Sequence, residues 1–140
     1  MDPQAHRTRA PLAGAGVVLA LLLAGCSSLN PGTSDAADTA AQFHTALSSG
    51  DAQAACSLLA PGTVEKLEDG SDGSCAQKLG QLQLDPASAV QQSQAFGSNA
   101  QVQLDADTVF LTLSGDRWKI TAAGCTSRGE KPYDCEVEGG

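Results

Sequence analysis

The sequence predicts an α+β domain in which N-terminal helices pack on a curved antiparallel sheet and disulfides staple the chain. Three observations point there. Apolar residues recur at helical spacing up to about residue 82, and they alternate strictly from residue 100 onward. Four cysteines lie within the stretch expected to fold. Helices followed by a run of strands give an α+β arrangement rather than an alternating α/β one.

In the first helix, Ala36, Ala40, Phe43 and Leu47 form one apolar stripe, with Ser34 or Asp35 to cap its start and Gly50 where it ends. Asp51 caps a second, short helix that turns Ala52, Ala55, Leu58 and Leu59 inward, and Pro61 is expected to stop it. Val64 and Leu67 mark a further turn or two. Residues 68–74 (EDGSDGS) read as an acidic loop, and Ser74 caps a segment holding Cys75, Leu79 and Leu82.

The period then changes. Ala100, Val102 and Leu104 alternate with polar residues, as do Val109, Leu111 and Leu113, and then Trp118, Ile120 and Ala122. Asp105-Ala106-Asp107 and Ser114-Gly115-Asp116 separate these runs, which implies an antiparallel meander. Residues 89–96 form a weaker strand signal, diluted by Gln and Ser. From Gly124 onward the tail is expected to be a loop pinned back by a disulfide.

Ahead of the domain lies a processing signal. Residues 1–11 carry Arg7 and Arg9, and residues 12–24 are the apolar run LAGAGVVLALLLA. As a helix that run spans about 20 Å, short of the ~30 Å hydrocarbon core, so it reads as a secretory signal peptide rather than a stable span. Leu23-Ala24-Gly25-Cys26 resembles the lipobox of bacterial lipoproteins. By that resemblance residues 1–25 are removed, Cys26 is lipidated, and residues 26–35 (CSSLNPGTSD) are a flexible tether to a domain at 36–140. Two or three acyl chains anchor stably where one does not. The expected location is the extracytoplasmic face of the cell membrane.

The net charge of −8 and the lack of any Lys/Arg cluster exclude nucleic acid as a partner, and the protein should meet the membrane only through its anchor. With Cys26 acylated, Cys56, Cys75, Cys125 and Cys135 remain, and three connectivities can be drawn. The expectation is Cys56–Cys75 and Cys125–Cys135, because each closes a short loop; metal or redox use lacks a CxxC pair or an adjacent histidine. No metal or cofactor is implied.

The segments AAQFHTALSSGDAQAACSLLAPGTVEKL (residues 40–67), DTVFLTLSGDRWKITAAGC (107–125) and PYDC (132–135) resemble small secreted actinobacterial lipoproteins with an NTF2-like domain. That resemblance implies a cone of helices and curled sheet around a pocket. Some members of the class are enzymes of the ketosteroid isomerase or polyketide cyclase type and others are non-catalytic modules, so fold does not choose between them.

Among single residues, His44 can act as a general base if it faces the pocket beside an aspartate; against this stands a helix-edge or partly buried histidine. Asp105 and Asp107 are the candidate partners, although carboxylates in a tight turn usually serve the turn itself. Trp118 is expected in the core, and Tyr133 to lay its ring over the sheet with a wet hydroxyl. The loop at 69–74 lacks the EF-hand order of ligands. No HExxH, G-x-S-x-G or P-loop occurs. The reading therefore leans away from an enzyme, towards an envelope module that binds a small apolar ligand or another envelope protein. Cells fed radioactive palmitate should yield this chain labelled, and Cys26→Ser should remove the label.

Overall fold

The computed structural model describes residues 32–70 and 72–139. The expected signal peptide, Cys26 and most of the tether lie outside the described residues. Four helices come first: α1 (Thr33–Ser48), α2 (Ala52–Leu58), α3 (Pro61–Glu68) and α4 (Cys75–Gln81). Five strands follow: β1 (Val90–Phe96), β2 (Asn99–Leu104), β3 (Thr108–Ser114), β4 (Arg117–Arg128) and β5 (Lys131–Glu138). They form one antiparallel sheet in chain order. No helix among the described residues is long and apolar enough to cross a membrane.

The helix α1 begins at Thr33, inside the stretch expected to be tether. Asp35 does not occupy the cap position; it sits in the first turn, where its carboxylate accepts the Gly32 N–H at 3.1 Å and favours the positive helix end. Gly50, at φ +77°, closes the helix as its N–H donates to the Leu47 carbonyl at 3.0 Å. Asp51 caps α2 by accepting from the Ala54 amide at 2.9 Å. Pro61 does not merely end α2. It opens α3, a first-turn seat where its missing N–H costs nothing. Ser74 and Gln77 cap α4 reciprocally.

The helices cover one face of the sheet. Val102, Leu104, Val109, Leu111, Trp118, Ile120 and Val137 point inward and are buried with Phe43 of α1 and Leu79 of α4. Trp118 is a core residue whose indole N–H donates to the Gly32 carbonyl at 3.2 Å. Leu47 and Leu58 are only partly buried at the layer's edge.

The tail departs from expectation. It is not a loop from Gly124 onward: β4 continues to Arg128, and β5 returns beside it. Two irregularities in the β4 ladder, opposite Phe110/Leu111 and between Thr126 and Arg128, break the alternation that sequence reading relies on. An exposed edge strand rich in charge also hides its one apolar row of Tyr133, Cys135 and Val137. Bulges increase twist, and Tyr133 reaches back over the outer face. Its ring stands edge-on to Phe110 of β3 at 5.1 Å, and its hydroxyl accepts from the Gln101 side chain of β2 at 3.3 Å.

Cys56–Cys75 ties α2 to α4 and Cys125–Cys135 ties β4 to β5. The first joins helices that share no hydrogen-bond ladder and closes a separation of 19 residues, against 10 for the second. Removing it as Cys56→Ala/Cys75→Ala should therefore cost about 3 kcal/mol in urea unfolding, and more than the equivalent change at Cys125 and Cys135.

Candidate functional site

The turn between β2 and β3 separates two aspartates by one residue, and the chain sends them in opposite directions. Leu104 N–H donates to the Asp107 carbonyl at 2.8 Å, which closes the turn. Asp105 stays at the surface, where its carboxylate accepts the Ser88 and Ala89 amides at 2.9 and 3.3 Å. The Ser88 amide, helped by that of Ala89, holds the Asp105 carboxyl below the ordinary carboxylate value, against a smaller opposing effect of burial.

Asp107 turns inward and is buried. One of its oxygens accepts the Cys125 N–H at 2.8 Å; the other accepts the Gly124 N–H at 3.0 Å and meets His44 Nε2 at 2.7 Å. Backbone amides only donate, so the carboxylate is held as an acceptor and the shared proton sits on Nε2. His44 is not a helix-edge residue: it is 3% exposed, on the side of α1 that faces the sheet. The Phe43 ring meets its imidazole edge-on at 5.4 Å.

His44 also lines a cavity of about 310 Å³. Its walls are chiefly Leu47 at the end of α1, Leu79 and Leu82 from α4 and its cap, and Leu84 and Pro86 from the segment that follows. Among the described residues, no buried side-chain nitrogen or oxygen lacks a partner. Nδ1 of His44 makes no hydrogen bond to a described residue, so it borders open space, and the space His44 lines is this cavity. The Ser48 hydroxyl, also at the wall, is turned to the helix carbonyls of His44 and Thr45.

One strap, residues 82–89, bounds the cavity without regular secondary structure. It is fixed at three points. Ala87 is buried, Asp105 holds the amides of Ser88 and Ala89, and the Leu84 side chain lies on Gly124. A Cβ at Gly124 would fall 2.5 Å from Leu84, and the glycine's φ is +66°, so both backbone shape and space demand glycine there. A smaller cleft of about 120 Å³ opens on the far side of Leu84 and Asp85, against Asp107, Cys125 and Glu136.

The residues singled out in the sequence are thus divided. His44 and Asp107 come together, whereas Asp105, Trp118 and Tyr133 serve the strap, the core and the outer sheet face. Leu84 and Gly124 carry the wall of the cavity and were not foreseen. The glycine inside the strand pattern Ala122-Ala123-Gly124-Cys125 was the available sign of a close backbone approach. The site has an oriented imidazole; among the described residues no cysteine or second histidine lines it, and the lining Ser48 hydroxyl is turned to the helix. No protein-family model, curated protein or solved structure matches the chain.

Deleting the Asp107 carboxylate leaves two amides and an imidazole N–H without their acceptor in a buried place. Asp107→Ala should lower the unfolding free energy by about 3–5 kcal/mol, and Asp107→Asn, which keeps one oxygen, by less. Urea unfolding of the two variants measures the difference.

Proposed function

We propose that this protein is a lipoprotein of the extracytoplasmic membrane face, anchored through Cys26, whose domain binds a small apolar ligand without transforming it. The observation that carries the reading is the cavity of about 310 Å³, walled by leucines and bordered by one oriented histidine. Sites for small molecules commonly start at about 300 Å³ and combine apolar walls with a few placed polar groups. We assign the fold to the NTF2-like cone on the order of elements, helices first and a bulged meander after them, with the cavity at the helix ends.

Geometry relative to the anchor supports the reading. The tether enters at the start of α1, while His44, Leu47 and Ser48 lie in its last turns. At about 1.5 Å per residue the cavity sits about 20 Å along the helix from the end that the tether reaches.

A second reading is favoured by one observation, the 2.7 Å contact of His44 with Asp107. A histidine oriented by a buried carboxylate, with its other nitrogen at a cavity, has the arrangement of a general base. Such an enzyme would be of the ketosteroid isomerase or polyketide cyclase type. Among the described residues no lining side chain is placed as an oxyanion donor, which weighs for binding instead.

Gly80 offers a test that spares the fold. It lies in α4 at the cavity, and a Cβ there meets nothing within 4 Å. Gly80→Leu should raise helix stability by up to about 1 kcal/mol while blocking the site. Native mass spectrometry of protein from its own membrane should find a small molecule retained by the wild type and lost from Gly80→Leu. A wild type that carries nothing removes the binding reading.

A further inference from the structure

We infer that the cavity selects uncharged ligands that carry one hydrogen-bond donor, such as a hydroxyl, which His44 Nδ1 accepts. The inference rests on the binding reading above and names the chemistry of its ligand. Three features of the wall decide it.

The first is the direction of the proton. Asp107 receives two backbone N–H groups and Nε2 of His44, so the imidazole proton is spent on the carboxylate. In the neutral ring the nitrogen at the cavity is then an acceptor with a free lone pair. The buried carboxylate fixes which face the ring offers, just as an outer partner fixes the tautomer of a metal-bound histidine.

The second is the lack of a competing polar group. Among the described residues that line it, only the side chains of His44, Ser48 and Asp85 carry polar atoms. The single proton of the Ser48 hydroxyl is taken by the helix carbonyls of His44 and Thr45, at 2.8 and 3.1 Å, and Asp85 is exposed at the rim. A ligand with an aliphatic body and a single donor leaves no buried polar group unpaired, on either side.

The third is charge. Asp107 stands behind His44, Asp85 stands at the mouth, and among the described residues no lysine or arginine lines the cavity. An anion would enter past one carboxylate and come to rest near another, without a cation to meet it. The volume of about 310 Å³ holds about ten water-sized groups at about 30 Å³ each, enough for a ring or short branched chain with its polar group.

Three probes with one ring and different polar groups test this: cyclohexylmethanol, methylcyclohexane and cyclohexanecarboxylate. The mature chain, labelled with ¹⁵N, is titrated with each at pH about 8, above the ordinary histidine range. With residues 1–25 removed, His44 is the one histidine left, so the imidazole signals are its own. Cyclohexylmethanol should bind about tenfold more tightly than methylcyclohexane, the worth of one good hydrogen bond, and the carboxylate more weakly than either. Long-range ¹⁵N–¹H spectra should show Nε2 protonated and Nδ1 bare, with the Nδ1 resonance moving only on addition of the alcohol.

A carboxylate that binds as well as the alcohol, an alcohol no better than the hydrocarbon, or a proton found on Nδ1 overturns the inference and leaves the binding reading standing. Failure of all three probes to bind, or binding that survives Gly80→Leu, overturns both.

Discussion

The Asp107 carboxylate is the fastening on which the site depends. It belongs to the β2–β3 turn, but its oxygens take hydrogen bonds from β4 at Gly124 and Cys125 and meet His44 of α1. Three elements far apart in the chain therefore converge on one buried anion. Such a group is costly to desolvate unless hydrogen bonds replace its water, and here three do, shared between both oxygens. The arrangement gives little net stability compared with an apolar plug of the same shape, but it fixes geometry. It sets the rotation of α1 against the sheet and the tautomer of the histidine.

The backbone of β4 at Gly124 makes that convergence possible. An all-extended strand would direct the amides of Gly124 and Cys125 to opposite sides. The positive φ of Gly124 turns both towards Asp107 and brings the backbone against Leu84. The same glycine thus serves the carboxylate on one side and the strap on the other. The strap in turn separates the two openings beside the His44–Asp107 pair.

The two disulfides act on different problems. Cys56–Cys75 holds short helices, of 7 residues each, that propensity alone would leave frayed. Both helices contribute residues to the cavity wall, Ala52 from α2 and Leu79 from α4, so the staple also fixes its width. Cys125–Cys135 joins residues directly opposite in an existing ladder, on the strand pair that curls over the outer face. There Tyr133, Phe110 and Gln101 close the sheet from behind. The helix face and the strand hairpin are thus restrained separately, and Asp107 is one buried polar link between them, beside the bond of Trp118 to Gly32.

Local patterns in the sequence determined the elements. The stripe through Ala36, Ala40 and Phe43, the caps at Asp51 and Ser74, and the alternation through Val102, Val109 and Ile120 are written in residues a few positions apart. Periodicity and capping act over that range, so the helices, the meander and the α+β class were legible. The tail was not, because bulges and an exposed edge erased its alternation. Nor was the site. Asp105 and Asp107 are equivalent by every local measure, yet one faces water and the other a histidine 63 residues earlier in the chain. Only the packing of α1 on the sheet, and the positive φ of Gly124 that aims two amides at the same point, distinguished them. A buried carboxylate is defined by the partners that surround it, and those partners come from distant parts of the chain.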